Sequence, residues 1–431
     1  MIVANSYRQA QNAQDSARLE EMVRGAVRQF IDKEIRPNIE EFEHGDTPPY
    51  EVLRKMFREF GMDVAARDRF AKQIAFEKTV AEAVAKGETP PEKPKRDGDG
   101  GASSLTLIPI IELCRVCPGM VTAMGVSMGL TAASVMSKGT IAQKERWGRD
   151  LLTLEKIGAW AITEPGSGSD AFGSMKATAR RDGDEYVLNG SKTFITNGPY
   201  ADTIVFICKL DEGNAPEDRT VLQFVLDAGM EGLEQSKPLR KMGMHSSPTG
   251  ELFLDDVRVG SDRLLGESEE AYKGTGGRQA SKATFGQERT GVVAMALGIV
   301  ERCLELSVAY ANDRVQFGQP IGQFQLIQLK LAKMEVARMN LQNQVFRNIE
   351  MAAAGAPGSF AEASAGKLYA AQAAMEVALE AVQIFGGNGY MAEFEVEQLA
   401  RDAKVLQIYA GTDEIQVSAV ARALLAEQAG A

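Results

Sequence analysis

The chain is poor in histidine, with only His44 and His245 among 431 residues, and poor in cysteine, with Cys114, Cys117, Cys208 and Cys303. Two histidines and a lone Cys114-x-x-Cys117 pair supply too few ligands for a closed zinc site and disfavour histidine-triad catalysis. Four cysteines in a chain of this size make no disulfide framework. The apolar run at residues 107–113 favours plain core packing for the first two. A positive excess is missing as well: 48 Lys and Arg face 59 Asp and Glu, and the formal net charge of −11 disfavours nonspecific nucleic-acid binding. No apolar run reaches the length of a membrane span. The opening residues have neither a signal peptide's apolar core nor a transit peptide's lack of acid, so a cytoplasmic location is the expectation. With metal and histidine chemistry disfavoured, reactivity has to come from carboxylates or a cofactor.

What is present is helical at both ends. Residues 16–43 carry Leu19, Met22, Val23, Ala26, Val27, Phe30 and Ile31 at amphipathic helical spacing, and 50–60 continue with a second helix. A charged stretch from 67 to 86 keeps Phe70, Ile74, Val80 and Val84 at helical intervals, and residues 87–104, GETPPEKPKRDGDGGASS, read as linker. This charged insertion, about 64–104, fits a solvated surface elaboration, or a flap or docking element. Residues 105–139 are apolar and rich in methionine (Met120, Met124, Met128, Met136), which suits buried helices better than a cofactor box.

The middle of the chain changes period. Residues 157–199 hold two strand-like runs, 159–163 and 193–196, with a Gly/Ser segment at 166–169 and a hairpin signal at Asp182-Gly183. Asn189-Gly190 and Asn197-Gly198 read as further tight turns. Short β-rich runs follow at 203–210 and 220–226, and 251–259 alternate like a half-buried strand. Small residues after a strand let backbone N–H groups approach a ligand, although an ordinary turn explains them equally. Beyond Gly277 the pattern is helical again: 291–312, 326–354 and 360–385 are long segments separated by breakers, as in a bundle.

The wording of five segments is more specific than their pattern. AITEPGSGSD (161–170) with NGSKTFITNG (189–198), RVQFG (314–318), QIFGGNGY (383–390) and IYAGTDEI (408–415) resemble, in order, the motifs of the acyl-CoA dehydrogenase flavoproteins. The resemblance implies a mainly α fold with an inserted β domain. An N-terminal helical domain (1–156), a middle β-barrel or sandwich domain (157–272) and a C-terminal four-helix bundle (273–431) are expected. It implies FAD as cofactor, an acyl-CoA substrate, an electron-transfer flavoprotein as acceptor, and a homo-oligomer built as a dimer of dimers, with no nucleic acid or membrane partner.

In that family a carboxylate removes the α-proton of the thioester while the β-hydrogen leaves as hydride to flavin N5. The commonest members place the base in Tyr-Glu-Gly-Thr, whereas this chain reads Tyr409-Ala410-Gly411-Thr412, and alanine takes no proton. The alternative base is Glu288 in Phe285-Gly286-Gln287-Glu288-Arg289-Thr290. The isovaleryl-CoA and long-chain type pairs Glu-Arg at the matching point with Ala or Gly at the position of Ala410. On residue physics alone, Glu288 also fits a solvated helix-face carboxylate beside Arg289. The resemblance leaves Ala410 its backbone N–H as donor to the thioester carbonyl.

Flavin contacts are implied at Trp160, Ala161, Ile162, Thr163 and Ser169 and at Phe194, Ile195 and Thr196. Arg314, Phe317 and Gln325 are implied to reach the FAD of a neighbouring subunit, and Gln383, Ile384, Phe385, Gly386 and Gly387 to meet its adenosine half. Thr412, Asp413 and Glu414 complete the set. Substrate contacts are implied at Ser169, Phe285, Gly286, Gln287, Arg289 and Gly411. Two other classes stay open: a non-dehydrogenating flavoprotein on the same fold, of desulfinase or monooxygenase type, and a silent subunit of a hetero-oligomer.

Overall fold

The computed structural model describes residues 18–92, 100–274, 276–355 and 358–429; side chains at 100–106, 277–285, 287 and 427–429 lie outside the description. Among these residues, helical segments run up to Leu152, a seven-stranded sheet occupies the middle, and helices return from Gly276. This is the expected order.

The amphipathic stretch forms a helix at 18–30, then a wider turn at Ile31–Ile35 and short helices to His44. Its apolar positions Val27, Phe30, Ile31 and Ile35 are all buried. The charged stretch is one helix, Met62–Ala85, carrying few buried residues. Ion pairs Arg67–Glu155 (2.5 Å), Lys78–Glu145 (2.7 Å) and Lys144–Glu77 (2.8 Å) join it to residues 141–156. The first two pairs are exposed and contribute at most about 1 kcal/mol each, whereas Lys144 is buried; with only Ala66 and Ile74 of its own residues buried, the helix is a surface element. The expected linker at 87–104 is shorter than the sequence suggests. Residues 93–99 lie outside the description, and a helix already runs over Gly100–Cys114, taking Pro109 inside it.

One stretch, Pro118–Lys138, is long and apolar enough to cross a membrane by length and composition, a correction to the expectation that none reaches it. Most of it is buried inside the fold. Cys114 and Cys117 are fully buried in the same helical core, and the Cys117 thiol donates to Ser246 Oγ at 3.0 Å.

The sheet strands are β1 (Gly158–Ala161), β2 (Thr178–Asp182), β3 (Glu185–Thr196), β4 (Thr203–Leu210), β5 (Val221–Asp227), β6 (Leu233–Gln235) and β7 (Thr249–Gly260). Their order is β1-β4-β2-β3-β7-β6, with β5 also on β4. β4 is buried at every position, which explains its unbroken apolar run, whereas β7 alternates. The sheet curls as a half-barrel around Leu188, Ile204, Phe206, Phe224 and Val257. Its other face carries Trp160, Val205, Ile207 and Val225 against Trp147 and Leu151 of the N-terminal helices.

Asp182-Gly183 makes the β2–β3 turn, with Gly183 at φ +63°. Asn189-Gly190 is not a turn. It sits within β3 at a bulge against β7, where Gly190 has φ +145° and an added Cβ would come within 2.7 Å of Ala177 Cβ. The cross-strand crowding, invisible locally, selects the glycine.

The helices Gly276–Asp313, Gln325–Ala353, Phe360–Phe385 and Asp413–Ala429, with the short Glu395–Val405, form the C-terminal helical domain. One apolar core runs from Leu53, Phe57 and Met120 to Val292, Leu341, Val377 and Leu406. The two helical domains therefore share a core, with the sheet module inserted between them in sequence.

Candidate active site

Glu288 stands on the long helix Gly276–Asp313 just before a run of buried residues, Val292 to Val300. The residue keeps a partial opening to solvent, yet its carboxyl is packed round by protein. Burial pushes its pKa up to about 7, against the pull of the Arg289 and then the Lys367 cations. Desolvation of this kind weighs against a freely solvated helix-face carboxylate.

Arg289 is 4% exposed and turned inward. Its Nε donates to the Ala410 carbonyl at 3.1 Å, its Nη1 donates to Ser364 Oγ at 2.7 Å, and its guanidinium lies 4.2 Å over the Phe360 ring. Expected as a substrate contact, it also holds the 410 turn. Gly286 has room: an added Cβ would meet only Phe360 Cδ2 at 3.9 Å. The side chains of Phe285 and Gln287 lie outside the described residues.

The turn carrying Ala410 is unusual. Ala410 has φ +54° and Gly411 φ +92°, a left-handed pair that costs an alanine about 1 kcal/mol or more. Both carbonyls are held from outside. Gln416 Nε2 donates to Ala410 O at 3.0 Å and to Gly411 O at 2.8 Å, and Lys367 Nζ donates to Gly411 O at 2.8 Å. No backbone carbonyl among the described residues takes the Ala410 N–H. An N–H on a clamped backbone can hold a carbonyl oxygen, and a carboxyl of raised pKa, here next in sequence to the arginine that clamps the turn, can take a proton.

In the sheet module, Thr193 N–H donates to Thr163 O at 2.9 Å, which sets the 160–163 segment beside 193–196. Trp160, Ala161, Ile162 and Ile195 are buried, Thr163 and Thr196 half-buried, and Ser169 exposed. The β3–β7 register slips between Lys192 and Ile195, and there Phe194 takes φ +57° and turns its ring outward, 68% exposed. A bulge that re-aims an aromatic ring into the open is a feature of ligand-facing edges. Gly166 and Gly168 have open space where a Cβ would sit, so this chain's own packing does not demand glycine there.

A second group gathers in the C-terminal domain. Val315–Gln316 and Gln319–Pro320 pair as a small hairpin with Phe317 at its tip, 94% exposed. Arg314, Gln325, Gln383, Gly386 and Gly387 are exposed, while Ile384 and Phe385 are buried. Tyr310 ties the two segments together: its hydroxyl donates to Phe385 O at 3.3 Å and accepts from Asn388 Nδ2 at 3.1 Å. Thr412 and Asp413 are half-buried and Glu414 exposed beside the 410 turn.

An exposed aromatic ring, hydroxyls at 163, 169 and 196, and an exposed arginine suit a group with a flat ring system and a pyrophosphate. On this donor set, the residues present fit a flavin dinucleotide.

Three supports escaped the sequence reading. Lys192, wholly buried, donates to Ile162 O at 3.0 Å and to Glu164 at 2.8 Å; the Glu164 carboxylate also accepts Lys176 N and Ala177 N. Asn197, read as a turn residue, donates from Nδ2 to Ala123 O and Gly158 O, both at 2.9 Å, and accepts from Tyr50 OH at 3.0 Å. Lys367 stands alone among small residues in AEASAGKLYAA, and that isolation was the one available signal.

The order is helix, sheet, helix, with a carboxyl of raised pKa and a clamped turn in the C-terminal helical domain. Family models for the N-terminal, middle and C-terminal domains of acyl-CoA dehydrogenase match residues 58–155, 159–257 and 274–425, and the chain belongs to this family. Members of the family are FAD-dependent. The chain is 35% identical to the 3-(aryl)acrylate reductase of Clostridium sporogenes, over 88% of this chain and 99% of that protein. Butyryl-CoA dehydrogenase from Megasphaera elsdenii superposes with a TM-score of 0.78 at 32% identity, covering 94% of this chain and 98% of the other. A glutaryl-CoA dehydrogenase from Mycobacterium smegmatis, solved in complex with FADH2, superposes with a TM-score of 0.77 at 26% identity, over 94% of each chain.

Proposed function

We propose that the chain oxidises an acyl-CoA thioester to its 2,3-enoyl product, with Glu288 as the base. The observation that carries this reading is the Glu288 carboxyl, held near a pKa of about 7 one residue from the side chain that clamps Ala410. Glu288 takes the α-proton, and the Ala410 N–H donates to the thioester carbonyl, where negative charge develops. The turn's left-handed geometry and its four carbonyl contacts hold that N–H in place before substrate arrives. FAD, when bound, supplies the two-electron acceptor for the β-hydrogen. Trp160 to Thr163, Ser169 and Phe194 to Thr196 would line its ring system, with Thr412, Asp413 and Glu414 nearby. Arg314, Phe317, Gln325 and the 383–387 segment would serve the FAD of a second copy, since their side chains at 314, 317, 325 and 383 face outward. This makes a homo-oligomer, a dimer of dimers, the working form, and an electron-transfer flavoprotein its acceptor.

Anaerobic mixing with a panel of acyl-CoA thioesters tests the reading: a matching thioester bleaches the flavin. In Glu288→Gln the thioester still binds while bleaching slows by about 10²–10⁴-fold; bleaching at the parental rate refutes the base assignment. The near full-length match to a reductase favours a second reading, the same carbon–carbon chemistry run toward the saturated product. Oxidation of the dithionite-reduced enzyme by an unsaturated thioester, without bleaching by any saturated one, would establish it.

A further inference from the structure

Two successive carbonyls in the 410 turn receive four hydrogen bonds from three helices. Arg289 comes from Gly276–Asp313, Lys367 from Phe360–Phe385, and Gln416 from Asp413–Ala429. A clamp of neutral donors would hold the backbone equally well, and Gln416 already supplies one to each carbonyl. Lys367 is nonetheless an amine with no exposed side-chain surface, its pKa lowered by burial against the pull of Asp413, its one ion-pair partner among the described residues, at 3.4 Å. A buried ammonium is costly unless other charges face it. Those charges are Glu288 on the neighbouring helix and Asp413 at the start of the Asp413–Ala429 helix, with Arg289 as the second cation. The four groups form a balanced set of two cations and two carboxylates.

We infer that Lys367 is a positioning residue with an electrostatic role. It anchors the turn that bears the Ala410 N–H and supplies the positive charge that Glu288 faces from the adjacent helix. The inference rests on Glu288 acting as the base. Three groups bear on Glu288. Arg289 lies on its own helix, Lys367 on the facing helix, and Tyr409 on the turn, its phenol kept neutral by burial. Of these, only Lys367 reaches across from a separate helix with charge. Gly411 shows how tightly the clamp is drawn, because an added Cβ would lie 2.8 Å from Gln416 Nε2 and 3.1 Å from Arg289 Nη2.

The test uses FAD-loaded Lys367→Met, Lys367→Gln and Lys367→Arg, with the acyl-CoA that bleaches the parent fastest. The second-order rate constant for bleaching is followed from pH 5.5 to 9.5, since that constant reports the free enzyme's base. In Met and Gln the midpoint of the rising limb moves up by about one pH unit, the lower end of what an adjacent opposite charge does. The rate is then about fivefold lower at pH 7 and recovers by the alkaline end. Arg, which keeps the charge, holds the parental midpoint. A loss that is equal at all pH values, with the midpoint unmoved, shows a purely structural clamp and overturns the inference; so does a parental profile. Should Lys367→Met fail to fold, Lys367→Gln keeps a donor for Gly411 O and carries the same test. Glu288→Gln is read alongside. Its parental rate would defeat the base assignment, whereas a slow Glu288→Gln with an unmoved Lys367 profile defeats this inference alone.

Discussion

Replacing Asn197 by alanine should unlock the sheet module from the N-terminal domain. The side chain is fully buried and makes three hydrogen bonds: to Ala123 O at the end of one helix, to Gly158 O at the start of β1, and from Tyr50 OH of another helix. Each is worth about 1 kcal/mol net, and stranding the buried Tyr50 hydroxyl adds about 1 kcal/mol more. The backbone sits at φ +64°, which asparagine tolerates better than alanine does. Together these place Asn197→Ala about 5 kcal/mol below the parent. Asn197→Gly, relieved of the backbone strain, should lie about 1 kcal/mol above the alanine variant, and Tyr50→Phe only about 1 kcal/mol below the parent. Urea titrations followed by fluorescence and by flavin absorbance give the midpoints, with FAD loss expected first because β1 continues into the segment at 160–163. An alanine variant within about 1 kcal/mol of the parent, or no difference between Ala and Gly, would refute the reasoning.

Glu43 is buried, and desolvation together with the Asp402 carboxylate raises its pKa to about 8. A carboxyl raised above its ordinary 4.5 keeps its proton longer in the folded state, so its stabilising share is full in acid and lost as pH climbs toward about 8. Thermal melts from pH 5 to 9 should show Glu43→Gln flattening that decline, and parallel curves would count against it. Lys192→Met leaves the Glu164 carboxylate buried without its cation, and the expected cost is about 3–5 kcal/mol, read by denaturation and FAD retention. The purified protein should be yellow and release FAD on denaturation. Arg314→Ala should weaken FAD affinity in equilibrium dialysis while helical circular dichroism stays unchanged, and undiminished affinity would contradict the intersubunit role.

Local spacing determined a large part of this protein. The helical period at 67–86 became the helix Met62–Ala85, the apolar run at 203–210 became β4 residue for residue, and the start of the 360–385 helix fell where Ser359 caps it. Such signals survive without tertiary context because period and capping depend on residues within a few positions of each other. The wording of the 408–415 segment, with alanine at 410, left the proposed base to Glu288 in the 285–290 segment. What only the tertiary structure decided concerns partners distant in sequence. Gly190 looked like a turn until Ala177 crowded it, Phe194 turned outward because β3 slips against β7, and Arg289 faced inward to a carbonyl 121 residues away. Lys192 and Lys367 carry charges that sequence assigns to solvent. Each is buried because carboxylates and carbonyls from other elements meet it there, and the free energy of a buried charge is set by that company rather than by its neighbours in the chain.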